Sequence, residues 1–150
     1  MKKSIIDTYT TIYYVDIVVA NEAATLEELK ELYTYSNGDE LDDEIIKMQC
    51  SCSTCKRKSD DKDVVLIKYN RDTDIKGIDK RLDLVNTVCH ESGHAVLDIY
   101  EHMGQNVCNC SSEPFCYLLG YIAECVYNTL TKKWTKLSWM LYYFMQTFWA

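Results

Sequence analysis

From about Asp79 to Met103, the residues Leu82, Val85, Val88, Cys89, Val96, Ile99 and Met103 return at helical spacing, and Gly104 is a natural stop. A helix of this length must lay an apolar stripe against another layer, and its interior spells HESGH from His90 to His94. Four helical residues turn the chain through roughly 400°, so the two imidazoles sit about one turn apart on one face. The apolar residues lie roughly 100 to 160° around the wheel from the midpoint of His90 and His94, which predicts histidines turned away from the core. Glu91 points toward the adjoining face.

Two histidines at i and i+4 can share a zinc ion, and a glutamate beside them can take a proton from a water bound to that zinc. A catalytic zinc site normally has three protein ligands and one open position. In the metzincin pattern a glycine and a third histidine would follow His94 by three and six residues, where this chain has Leu97 and Tyr100. In the gluzincin pattern the third ligand is a glutamate from the following helix, and Glu113 is preferred over Glu124 for that position. Cys108, Cys110 and Asp98 are further options, Asp98 better suited to orienting His94 than to binding metal. Tyr117, Tyr121 and His102 are candidates to stabilise a developing oxyanion.

The following helix is expected to start at Ser111 or Ser112 with Pro114 in its first turn. Its core face carries Phe115, Leu118, Leu119, Ile122 and Val126, and a second face carries Glu113, Tyr117, Gly120 and Glu124. Ahead of HESGH, Thr11–Ala20 predicts a strand, Thr25 with Glu28 a capping box before a short helix through Leu26, Leu29, Leu32 and Tyr33, and Ile45–Cys52 and Asp63–Asn70 two more strands. Ser53–Lys62 suits the hairpin connection between them.

A chain of 150 residues is the size of one domain, and the formal net charge of −7 argues against nucleic-acid binding. The start of the chain lacks a sustained apolar core, so no secretory signal is expected, and the eight cysteines are expected as reduced thiols in the cytoplasm. Cys50, Cys52 and Cys55, together with Cys108 and Cys110, could build a second, structural zinc site. Cys89, Cys116 and Cys125 are expected as small core residues. The aromatic-rich segment from Trp134 to Ala150 is too short for an ordinary membrane span, and packing against the domain or a protein partner is the leading expectation.

The stretch from Cys89 to Glu124, CHESGHAVLDIYEHMG followed after a short loop by SSEPFCYLLGYIAE, resembles small HExxH proteins of tailed bacteriophages, crAss-like phages included, which are similar to minimal gluzincin metallopeptidases. The resemblance implies His90, His94 and Glu113 as zinc ligands and Glu91 as catalytic base. It also implies a host-cytoplasmic or virion-associated protein. Thermolysin-like enzymes carry an aspartate four residues after the ligand glutamate; this chain has Tyr117 there.

The expected architecture is a single α+β domain over residues 1–150, zincin-like, with a roughly three-stranded sheet, an HExxH helix and a following ligand-bearing helix. The expected activity is zinc-dependent hydrolysis of a peptide or protein substrate. The competing expectation is a noncatalytic virion or interaction protein that keeps a zincin-like metal-binding scaffold.

Overall fold

The computed structural model describes residues 3–71, 78–108 and 112–131. In chain order the elements are β1 (Ile6–Tyr9), β2 (Asp16–Ala20), α1 (Leu26–Leu32), β3 (Tyr33–Tyr35), α2 (Glu44–Lys47), β4 (Cys50–Arg57), β5 (Asp63–Tyr69), α3 (Ile78–His102) and α4 (Ser112–Leu130). They make an α+β fold around a five-stranded mixed sheet of order β1-β2-β5-β4-β3. β2 and β5 run parallel, while β1 with β2, β5 with β4, and β4 with β3 are antiparallel.

The two parallel strands are buried on both sides, which is why DIVVA and VVLIKY read as nearly unbroken apolar runs. Strand alternation sends Ile17, Val19, Val65 and Ile67 toward α3 and α4. It sends Val18, Ala20, Val64 and Leu66 to the opposite core, with Leu29, Leu41 and Ile45.

Five strands replace the expected three because β1 and β3 carry little signal of their own. Their sequences, IDTY and YTY, are short and become strands only by pairing with β2 and β4. Tyr33, expected on the helix face, is instead the extended C-cap of α1, with φ −137°, and leads directly into β3. The first strand shortens to Asp16–Ala20, with Tyr14 in the left-handed region at φ 64° and Thr11 Oγ1 donating to the Val15 carbonyl at 2.7 Å. The segment expected as one strand from Ile45 splits into α2 and the start of β4, which then runs on to Arg57. The capping box forms as expected: Thr25 Oγ1 accepts from Glu28 N at 3.2 Å, and Glu28 Oε2 accepts from Thr25 N at 2.7 Å.

α3 ends at His102, and Gly104 just beyond it has a φ of +65°, which suits a residue without a side chain. The buried residues of α3 are Leu84, Val88, Glu91, Ser92, Ala95, Val96, Ile99 and Tyr100. Leu82, Val85 and Cys89, expected in the core stripe, are exposed, because the described sheet and α4 do not cover that flank of the helix's first half. In the second half, α4 does cover the corresponding flank, and the Tyr100 and Phe115 rings meet edge-on at 5.6 Å. No helix among the described residues is long and apolar enough to cross a membrane. The aromatic segment 134–150 lies outside the described residues.

At the start of β2, Asp16 is buried and receives Arg57 Nη2 at 2.5 Å and Lys62 Nζ at 2.8 Å, tying the end of β4 and the β4–β5 turn to the parallel pair. Burial pushes its carboxyl pKa up, but the hydrogen bonds and charges of Lys62 and Arg57 outweigh burial and hold it below its ordinary value. A carboxyl with a lowered folded-state pKa stabilises the fold above its unfolded pKa and loses that contribution as pH falls through the folded value. Asp16→Asn should therefore cost about 2 kcal/mol at pH 7, and the gap from the parent should close as the medium is acidified below about pH 4. Urea midpoints of both proteins across that range check it.

Candidate metal centre

α3 carries the HESGH residues across β4 and β5, and its buried stripe sets their direction. Glu91 is 8% exposed, while His90 and His94 lie on the exposed side of the same helix. Their rings converge: Nε2 of His90 and Nε2 of His94 are 3.1 Å apart, with ring centroids at 4.8 Å and planes at 73°. Two nitrogens each about 2.0–2.1 Å from a tetrahedral ion stand roughly 3.3 Å apart, so this pair fits zinc to within a few tenths of an ångström. Glu91 opens into the same cleft and has no hydrogen-bond partner among the described residues. Burial raises its carboxyl pKa, and the His90 and His94 imidazoles act in the opposite sense.

The cleft has a volume of about 510 Å³. Its walls come from three places: the HESGH face of α3, the Cys50–Ser53 half of β4, and the segment from Tyr35 to Met48. β3 pairs with β4 only from Cys55 to Arg57, and the last bond on that side runs from Ser36 N to the Thr54 carbonyl at 3.1 Å. Bonds toward β5 use Gln49 and Arg57, so the two-residue period of the strand turns the backbone groups of Cys50 and Cys52 to the free side. Beside the histidines, β4 thus has an open strand edge among the described residues.

The other sequence candidates lie elsewhere. Glu113 is on the exposed first turn of α4, Glu124 is exposed further along it, and neither lines the cleft of His90, Glu91 and His94. Among the described residues, no group of three His, Cys, Asp or Glu side chains is placed to hold a metal. Asp98, one turn beyond His94, accepts a long hydrogen bond from Cys52 Sγ at 3.7 Å and, among the described residues, makes no hydrogen bond to either histidine. Tyr121 donates to the Thr10 carbonyl at 2.9 Å, and Tyr117 lines a separate apolar groove with Ile12, Tyr13 and Pro114. His102 Nε2 is 3.7 Å from Asp63 Oδ2, at the far end of α3.

The phenol that does border the cleft is Tyr35, whose hydroxyl donates to Asp42 Oδ1 at 3.1 Å. Nothing in its local sequence distinguishes it, because its place depends on β3 pairing with β4. The same is true of Asp39, Asp42 and Glu44, which read in the sequence only as an exposed acidic stretch.

Among the described residues, the cysteines do not assemble as a second zinc site. Cys50 and Cys52 face the α3 side of β4, whereas Cys55 packs in the opposite core, as strand alternation requires. Cys108 is disulfide-bonded, and Cys110 lies outside the described residues. Burial pushes the Cys50 and Cys55 thiols up to about 12 and raises Cys52 well above its ordinary value. Cys125 is buried as expected, but Cys89 and Cys116 are exposed.

No protein-family model matches the chain, and no curated protein or solved structure matches it.

Titration of the purified chain with zinc should saturate at one equivalent, followed by calorimetry at neutral pH. His90→Ala and His94→Ala should each weaken binding by more than the roughly 100-fold that losing an outer-shell partner costs. Unchanged affinity in either variant removes that imidazole from the metal centre.

Proposed function

We propose that the protein is a zincin-like metallopeptidase that hydrolyses a peptide bond in a substrate laid along the open edge of β4. The supporting observation is the approach of His90 and His94 nitrogens to 3.1 Å beside a buried Glu91 that has no hydrogen-bond partner among the described residues, all facing one cleft. His90 and His94 would hold the metal. A bound zinc ion supplies polarisation of the scissile carbonyl and acidification of a water molecule.

The chain's own groups supply the rest. Backbone groups of Cys50 and Cys52 pair with an extended substrate as an added strand, which orients the scissile bond across the α3 face. Glu91, made more basic by burial, takes a proton from the attacking water and returns it to the leaving amine as the C–N bond breaks. Tyr35, which borders the cleft, would donate to charge developing on the carbonyl oxygen once its bond to Asp42 is exchanged.

Glu91→Gln should keep zinc affinity close to that of the parent and lower kcat/KM toward a quenched-fluorescence peptide pool by about 100- to 10,000-fold. Parent-level turnover in that variant would remove Glu91 as the base. Absence of hydrolysis by the zinc-loaded parent over the whole pool would favour the noncatalytic scaffold.

Glu113 is the third protein ligand proposed from the sequence pattern. Zinc affinity decides between it and Glu124: the alanine variant of the true ligand loses affinity and the other keeps it. If both bind zinc as the parent does, neither carboxylate of α4 completes the metal shell.

A further inference from the structure

We propose that the cleft selects a peptide carrying a lysine or arginine side chain, held by Asp39, Asp42 and Glu44. The inference rests on the peptidase reading above and adds to it the class of substrate.

Three carboxylates from the loop after β3 and the start of α2 line the cleft that contains His90, Glu91 and His94, and its described lining includes no lysine or arginine. Their positions are set locally. Asp42 Oδ1 accepts from Tyr35 Oη at 3.1 Å and from Glu44 N at 3.0 Å. Asp39 Oδ2 accepts from Asn37 Nδ2 at 2.7 Å across a turn at Gly38. The Glu44 carboxylate has no hydrogen-bond partner among the described residues. The nearest cation in sequence, Lys47, is paired with Asp43 at 2.7 Å and does not line the cleft. Lys47 also feels the charges of Glu44 and Asp42 from outside the cleft, which leaves three carboxylates against one nearby ammonium that Asp43 already holds.

A second feature separates this space from a merely solvated acidic surface. Glu91 is 8% exposed, lacks a hydrogen-bond partner among the described residues and opens into the same cleft. Its carboxylate oxygens are not sealed from the cleft, so with no donor among the described residues their hydrogen-bond partner is drawn from that side. Even with a doubly charged ion held by the histidines, Glu91 and the three rim carboxylates leave the cleft net negative. A substrate strand on the free side of β4 would pass between the histidines and the acidic segment, placing one of its side chains against Asp39, Asp42 and Glu44. A cation there gains attraction from three charges on the wall of a concave site, whereas an acidic residue meets repulsion.

The test uses the full-length, zinc-loaded Glu91→Gln protein and fluorescein-labelled alanine hexapeptides in which each position in turn carries Lys, Gln or Glu. Fluorescence anisotropy should show at least one position at which Lys binds about tenfold more tightly than Gln and Glu binds more weakly than Gln, at low salt. The preference should fall below about threefold in 0.5 M salt. A triple variant, Asp39→Asn with Asp42→Asn and Glu44→Gln, should lose the preference and keep its zinc affinity. Glu44→Gln alone, on an exposed side chain, should lose part of the preference even if the triple variant does not fold.

Equal binding of the three peptide sets, no binding of any of them, or a preference that survives Glu44→Gln undiminished overturns the proposal. So does loss of zinc affinity in the triple variant, which would make these carboxylates metal ligands. Selective binding without hydrolysis by the parent leaves the charge selection standing and removes the peptidase reading. Hydrolysis without selection does the reverse.

Discussion

Packing of one flank of α3 onto β4 and β5 is the constraint on which the site depends. Leu84, Val88, Ala95 and Ile99 are buried against the sheet, and they lie on the same side of the helix as Glu91. Each buried side chain of this size contributes roughly 1.5–3 kcal/mol relative to exposure, so rotating α3 about its axis would sacrifice several such contributions at once. The rotation is therefore fixed to within a fraction of a turn. Glu91 is consequently held at the boundary of the core while His90 and His94 project past it into the cleft.

That placement has an electrostatic result. A carboxylate at the core boundary is partly stripped of water, which raises its proton affinity, and the two imidazoles beside it oppose the shift without supplying a hydrogen bond. The Cys50 and Cys52 thiols on β4 respond to the same low-dielectric surroundings, which raise their pKa values as well. The cleft thus brings two histidines and a carboxylate against a wall lined by thiols.

The long helix, its stop at Gly104, the capping box at Thr25 and Glu28, and the apolar strand β5 were legible because each is encoded by contiguous residues: a 3.6-residue period, a glycine, a reciprocal side-chain pair and a β-branched run. β1 and β3 were not, since IDTY and YTY owe their extended form to partners distant in sequence. The core stripe of α3 was only half legible. A helical wheel ranks apolar residues but does not say which layer lies beside each half of the helix, so Leu82, Val85 and Cys89 looked like core and are exposed.

His90, Glu91 and His94 were set together by the sequence alone, because five consecutive helical residues have almost no freedom in their relative placement. What surrounds them was decided by tertiary structure. The meeting of Tyr35, Asp39, Asp42 and Glu44 with the open half of β4 depends on where a three-residue strand stops pairing, and the position of α4 leaves Glu113 outside that cleft. Local periodicity carries angles within a helix; it carries no information about which distant segment closes the space in front of it.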